Sequence, residues 1–168
     1  MMKRILLAVF FSLSMGLVAL EQAFANEAAH HIMHVLKAQF DTPENPLTVE
    51  PVSIEGDFAV AGWSQGGKGG RALLKSVDGQ WVIWLCSGAG LKQAQLMHEA
   101  GMDMAAAEKL AAMVVADEAK LDPAKVALFD GFEGTLMIGA EGHAGHGTHG
   151  THGTHGTHGA AATETQTQ

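Results

Sequence analysis

The strand-like middle of the chain, residues 52–86, most strongly limits the folds that the sequence can adopt. Residues 58–63 and 71–77 are short, mostly apolar runs with the composition of β-strands. Asp78-Gly79 follows the second run and is a strong signal for a two-residue β-hairpin. Residues 81–86, WVIWLC, are apolar on both faces, as expected of a central strand that is covered on both sides. This order predicts an antiparallel β-meander.

The first strand and the connections are marked less strongly. Val52 and Ile54 alternate with polar neighbours, and Gly56-Asp57 is typical of a turn. The QGGKGG segment, residues 65–70, is predicted to be a flexible connection between the second and third strands.

Helical patterns flank the strands. An apolar stripe with a spacing of four residues predicts a helix that ends before two prolines; the stripe is Ala28, Ile32, Leu36 and Phe40, and the prolines are Pro43 and Pro46. Three more helices are predicted: Leu91–Ala100 before Gly101, a helix N-capped by Asp103 that runs to Lys120, and one opened by Asp122-Pro123 and closed by Gly131. Thr135–Ile138 is predicted to add a last strand. The fold class that follows is α+β, an antiparallel β-meander with helices packed on one face.

The amino-terminal segment has the pattern of a signal peptide. Residues 3–4 are basic, residues 5–20 are almost entirely apolar, and Ala23-Phe24-Ala25 has the small-x-small pattern of a signal-peptidase site. We therefore predict a signal peptide at 1–25 and a periplasmic mature chain without membrane insertion; an uncleaved anchor is the alternative. Cleavage after Ala28 would instead create a copper-binding amino terminus, Ala29-His30-His31.

The predicted mature chain is acidic. Cleavage leaves eight basic and seventeen acidic side chains, a net charge of −9 with neutral histidines. This charge argues against nucleic acid or anionic lipid as a partner and favours cations. Residues 26–138 are predicted to form a single domain whose stability comes from its core, because Cys86 has no second cysteine to pair with.

The most specific feature is a ladder of histidines near the carboxyl terminus. Six imidazoles recur every third residue, at His143, His146, His149, His152, His155 and His158, and from Gly147 on the repeating unit is Gly-Thr-His, four times over. Glycine and threonine disfavour a helix and nothing apolar is present to bury, so residues 139–168 are predicted to be a disordered tail.

Neutral imidazole is a good ligand for copper, zinc and nickel, and several on one pliant chain raise the local ligand concentration. The Irving–Williams order favours Cu(II) over Zn(II). Copper is therefore the predicted metal, more as Cu(II) than as Cu(I), with zinc or nickel as alternatives. The competing interpretation is a hydrophilic extension that arose by repeat expansion.

Two further groups are candidate ligands. His30 and His34, one helical turn apart, are predicted on the exposed face of the first helix, where they could share one ion or simply be solvated. A second group offers soft thioethers for Cu(I), but methionines are also ordinary core residues; it comprises Met97, His98, Met102 and Met104. Cys86 is predicted to be a buried, inert thiol, with a Cu(I) ligand as the alternative.

Catalytic patterns do not emerge. QGGKGG lacks the Walker spacing, and Ser87 before glycine is not a nucleophile elbow. We therefore predict no catalytic residue and a protein that is not an enzyme.

Four stretches of the folded part resemble one family. They are FDTPENPLTVEPV (residues 40–52), VAGWSQGGKGGRALL (60–74), WVIWLCSG (81–88) and LDPAKVALFDGFEG (121–134). In these the chain resembles the small exported bacterial proteins known as copper uptake system-associated proteins. The resemblance implies a periplasmic location and a role in copper acquisition, and it implies no ligand set.

The expected function is thus that of a periplasmic copper-binding accessory protein. It would buffer copper or deliver it through the polyhistidine tail to an uptake system, with a copper transporter or a copper chaperone as partner. The alternative is a periplasmic protein-interaction module whose tail is a non-specific sponge for zinc, nickel and copper. In that case an exposed Trp63 with the glycine loop Gly66–Gly70 would form the contact surface.

Overall fold

The computed structural model describes residues 24–139. The elements in chain order are α1 (residues 24–40), β1 (Thr48–Glu55), β2 (Phe58–Gln65), β3 (Lys68–Val77), β4 (Gln80–Ser87), a 3-10 helix (Ala89–Lys92), α2 (Ala94–Glu99), α3 (Met104–Glu118), α4 (Pro123–Asp130) and β5 (Thr135–Met137). No helix within residues 24–139 is long and apolar enough to cross a membrane. The predicted boundaries of the signal peptide, the domain and the tail remain predictions, since residues 1–23 and 140–168 lie outside this part.

The sheet confirms the predicted antiparallel meander and the α+β class. Its five strands lie in the order β1-β2-β3-β4-β5, and each neighbouring pair is antiparallel. The last strand, β5, extends the sheet beyond β4 through the pairs Cys86 with Leu136 and Ser87 with Thr135. The chain thus returns to the sheet after its helices, as Thr135–Ile138 predicted.

Two hairpins turn on residues with positive φ. Asp78 and Gly79 have φ values of 51° and 77°, which confirms the predicted two-residue hairpin between β3 and β4. The QGGKGG segment was expected to be a flexible connection, but the structure shows a tight turn there. Gly66 and Gly67, with φ values of 57° and 77°, make another tight turn, and β3 already begins at Lys68. Two adjacent glycines adopt such a turn without steric cost, so the strands continue almost to each other.

Helices cover both faces of the sheet. Ile32 and Leu36 of α1 pack on one face, in a buried cluster with Ala61, Leu74 and Ile83. The opposite face packs against α2 and α3 through a second cluster, described below, and α4 lies on the same side. The prediction of helices on one face therefore holds for α2–α4, and α1 departs from it. Strands whose side chains are apolar on both sides require such a second cover.

The second cluster joins the sheet to the carboxyl-terminal helices. It contains Val60, Leu73 and Leu85 from the strands and Met97, Met102, Leu110 and Val114 from the helical region. Asp103 caps α3, since its carboxylate accepts hydrogen bonds from the backbone N–H groups of Ala105 and Ala106. Asp122 caps α4 in the same way through Ala124. Both caps confirm the predicted helix starts.

A buried ion pair connects β3 to α3. Arg71 is fully buried, and its Nε and Nη2 lie 2.6 and 2.7 Å from Glu118 Oε1 and Oε2. Its Nη1 donates to the carbonyl oxygen of Gly88 and lies 3.0 Å from Asp130 Oδ1. This bidentate ion pair compensates both charges inside the fold. A buried ion pair is tolerated only when its charges are compensated in this way.

Candidate metal sites

The exposed face of α1 brings two imidazoles together. His30 and His34 are both exposed, and their Nε2 atoms are 3.2 Å apart. The rings meet edge to face, with centroids 4.6 Å apart and an interplanar angle of 85°. Residues four apart on a helix lie one turn above each other, and burial of Ile32 and Leu36 turns the histidines outward.

The separation of the two nitrogens suits a shared metal ion. On a tetrahedral ion such as zinc, two imidazole nitrogens at about 2.0–2.1 Å, with an angle of about 100–110° between them, lie about 3.1–3.4 Å apart. Neighbouring nitrogens on tetragonal Cu(II), at about 90°, lie about 2.8–3.0 Å apart. The observed 3.2 Å falls inside the tetrahedral interval and is slightly longer than the tetragonal one. Without a metal, the same distance fits a hydrogen bond between one protonated and one unprotonated nitrogen. The pair can therefore supply two ligands, but a stable site needs more.

Further ligands for this pair do not come from the folded part. Among residues 24–139, no group of three or more His, Cys, Asp or Glu side chains is placed to hold a metal ion. His31 is exposed on the same helix, outside the close pair. Additional ligands would have to be water, a partner, or the six histidines of the predicted tail, which lie outside the described residues.

The methionine group does not present its sulfurs together at the surface. Met97 and Met102 are buried in the second core cluster, Met104 is half-buried, and His98 is exposed. His98 Nδ1 lies 2.9 Å from the carbonyl oxygen of Met102, which requires Nδ1 to carry the proton and leaves Nε2 as the ligand atom. This placement favours the interpretation of Met97 and Met102 as core residues.

Cys86 is buried in the sheet on the side of α1. Only 5% of its surface is exposed, and burial raises the pKa of its thiol to about 11. A neutral thiol is a poor nucleophile and must lose its proton to bind a metal. The placement agrees with the predicted inert thiol.

Two features could not be found by sequence reasoning. One is the Arg71–Glu118 pair, because a lone arginine in a strand gives no sign of its distant partner. The other is an apolar cavity of about 390 Å³ between α1 and β5, which Trp63 and Cys86 help to line.

The prediction of an exposed Trp63 is wrong: its side chain is half-buried, because it packs against Phe132, with ring centroids 5.9 Å apart. Of the predicted glycine loop, Gly69 and Gly70 are buried within β3.

No protein-family model, no curated protein and no solved structure matches this chain. The predicted family resemblance therefore remains a prediction.

Proposed function

We propose that the protein is a periplasmic copper-binding accessory protein that buffers copper or delivers it to an uptake system. The observation that carries this proposal is the ladder of six evenly spaced histidines, from His143 to His158, attached to an acidic chain with a signal-peptide pattern. Imidazoles on a glycine-rich chain wrap around an ion from several directions and release it again, which suits transfer better than catalysis.

The histidine pair on α1 supports the same proposal as a second, weaker metal-binding site. Its Nε2 atoms lie at a distance compatible with one shared ion, and both rings are exposed to solvent. A two-ligand clamp leaves coordination positions open, so that a tail imidazole or a ligand from a partner can complete the shell. Copper can then pass between ligand sets without leaving the protein.

The tail is tested by titrating the mature chain, residues 26–168, with Cu(II) against a competing chelator at pH 7.5. Replacing the six tail histidines by glutamine is expected to lower the apparent affinity for Cu(II) by more than about a hundredfold, because carboxylates and amides bind Cu(II) more weakly than imidazole. The control replaces four threonines of the same repeats, Thr148, Thr151, Thr154 and Thr157, by glutamine. Equal affinity of the wild-type and histidine-free chains would refute the proposal.

The α1 pair is tested in the full mature chain that carries the six tail substitutions. There, His30→Gln or His34→Gln is expected to weaken the residual binding of Cu(II) by about tenfold or more, because each removes half of a two-nitrogen clamp. His31→Gln is the matched control, since this histidine is exposed on the same helix but is not part of the pair. Equal effects of all three substitutions would show that the clamp does not exist.

Delivery is separated from non-specific metal storage by growth under copper limitation. Deletion of residues 141–168 is expected to slow copper-dependent growth, because the uptake system loses its donor. Unchanged growth would leave the alternative, an interaction module with a dispensable metal sponge. Native mass spectrometry of protein purified from the periplasm reports the bound metal and the mature amino terminus together.

A further inference from the structure

The apolar cavity lies on the face of the sheet that α1 covers, at the side where β5 ends the sheet. Leu36 of α1, Leu47 before β1 and Cys86 of β4 contribute to its wall, while Leu136 and Met137 of β5 line its edge. Leu136 and Met137 are 49% and 52% exposed, so this edge is open to solvent. The volume of about 390 Å³ lies within the range of about 300–1,000 Å³ that is typical of small-molecule sites.

The chemistry of the wall selects for a neutral molecule. Within the described part of the chain, no charged side chain lines the cavity, and Gln39 and Gln65 are its only side chains with an amide. The amide nitrogen of Gln65 already donates to the carbonyl oxygens of Phe40 and Asn45, at 2.8 and 2.7 Å. A carboxylate or phosphate would lose its hydration without gaining a cation, whereas an apolar body is favoured.

One donor beside the cavity has no partner among the described residues. Nε1 of Trp63 is buried and has no hydrogen-bond acceptor among the described residues. The indole is held between Phe132 and Gly70, where a Cβ on residue 70 would come within 2.8 Å of the Trp63 ring. Buried indole N–H groups usually have a partner. Nε1 has no accessible surface although the cavity itself is open to solvent, so this donor faces its packed surroundings and not the cavity.

The carboxyl-terminal part of this chain does not provide a suitable occupant. Residues 140–168 contain only Ala, Gly, Glu, His, Thr and Gln, so none of their side chains is a large apolar group. The cavity wall is instead built from leucine, phenylalanine, tryptophan and methionine side chains. A separate molecule with an apolar body fits this wall better than the tail does.

We infer that this cavity binds a neutral, largely apolar small molecule. The molecule occupies the space between α1 and β5. The inference is independent of copper binding, since neither the tail nor the α1 histidines line the cavity.

The probe for the site is Nile red, a neutral and largely apolar dye, which is titrated into the mature chain and followed by its fluorescence. We expect saturable one-to-one binding with a blue-shifted emission. Leu136→Glu places an unpaired charge at the cavity edge and is expected to weaken binding by at least about tenfold. Val115→Glu is the matched control, because Val115 is also exposed, at 51%, but lies on α3. No saturable binding, or an equal loss in both variants, would overturn the inference.

Cys86 reports the location of the dye, because it is the only cysteine in the chain and lines the cavity. Bound Nile red is expected to slow the modification of this thiol by methyl methanethiosulfonate, as measured by mass spectrometry at pH 9. Equal rates with and without the dye would place the dye elsewhere and overturn the inference.

Discussion

Replacing Glu118 by alanine is expected to lower the free energy of unfolding by about 3 kcal/mol, because it leaves a fully buried arginine without its main counter-charge. The carboxylate of Glu118 accepts two short hydrogen bonds from Arg71, and 4% of the Glu118 side chain is exposed. Neither group can recover its hydration without opening the contact between β3 and α3. Urea unfolding of the mature chain at pH 7, followed by circular dichroism, measures the loss.

Asp130 keeps this loss near the lower end of the range known for broken buried pairs. Its Oδ1 lies 3.0 Å from Arg71 Nη1, and it also binds Lys92. Burial raises the pKa of Asp130, but the hydrogen bonds from Lys92 and Arg71 outweigh burial and hold that pKa below its usual value. Asp130 therefore remains ionised at neutral pH and continues to compensate part of the arginine charge.

Two controls separate a buried-charge effect from a general loss of contacts. The double variant Arg71→Met/Glu118→Leu removes both charges and keeps similar volumes, so it is expected to recover most of the stability. Lys109→Ala breaks the ion pair between Lys109 and Glu55, in which the lysine side chain is 64% exposed. This variant is expected to change the free energy of unfolding by less than about 1 kcal/mol. The explanation fails if the double variant is as unstable as Glu118→Ala.

The local elements could be predicted because their signals are local. Asp78-Gly79 specifies its turn by the backbone angles that these two residues tolerate, and Asp103 and Asp122 specify helix starts through their own carboxylates. The exposed pair on α1 follows in the same way from the spacing of His30 and His34. In each case the interacting groups are within four residues of each other.

The features that escaped prediction depend on contacts between distant segments. Arg71 and Glu118 are 47 positions apart, and only the packing of α3 on the sheet brings them together. Trp63 is half-buried because the chain returns after α4 and places Phe132 against it. The cavity is likewise bounded by α1 and β5, the first and last described elements. Periodicity along the sequence carries no information on such pairings.

Lowering the pH from 7.5 to 5 is expected to weaken the binding of Cu(II) to the mature chain by about ten-thousandfold. The proton and the metal compete for the same imidazole lone pair, so affinity falls as the pH falls. A histidine with a pKa near 6.5 is mostly neutral at pH 7.5, but at pH 5 only about one in thirty is free of its proton. Three imidazoles on one ion multiply this factor to about 10⁴. Competition calorimetry at the two pH values measures the change.

The slope of this dependence also tests which ligands hold the metal. Below about pH 6, each imidazole on the ion should add about one unit to the slope of log affinity against pH. A slope near three or four indicates a shell built from several histidines. Thioethers take up no proton in this range, so binding through Met97, Met102 or Met104 would depend little on pH. The chain with glutamine in place of the six tail histidines is the control and should lose most of the slope. Equal affinity at pH 7.5 and pH 5 in the wild-type chain would rule out imidazole as the ligand that holds copper.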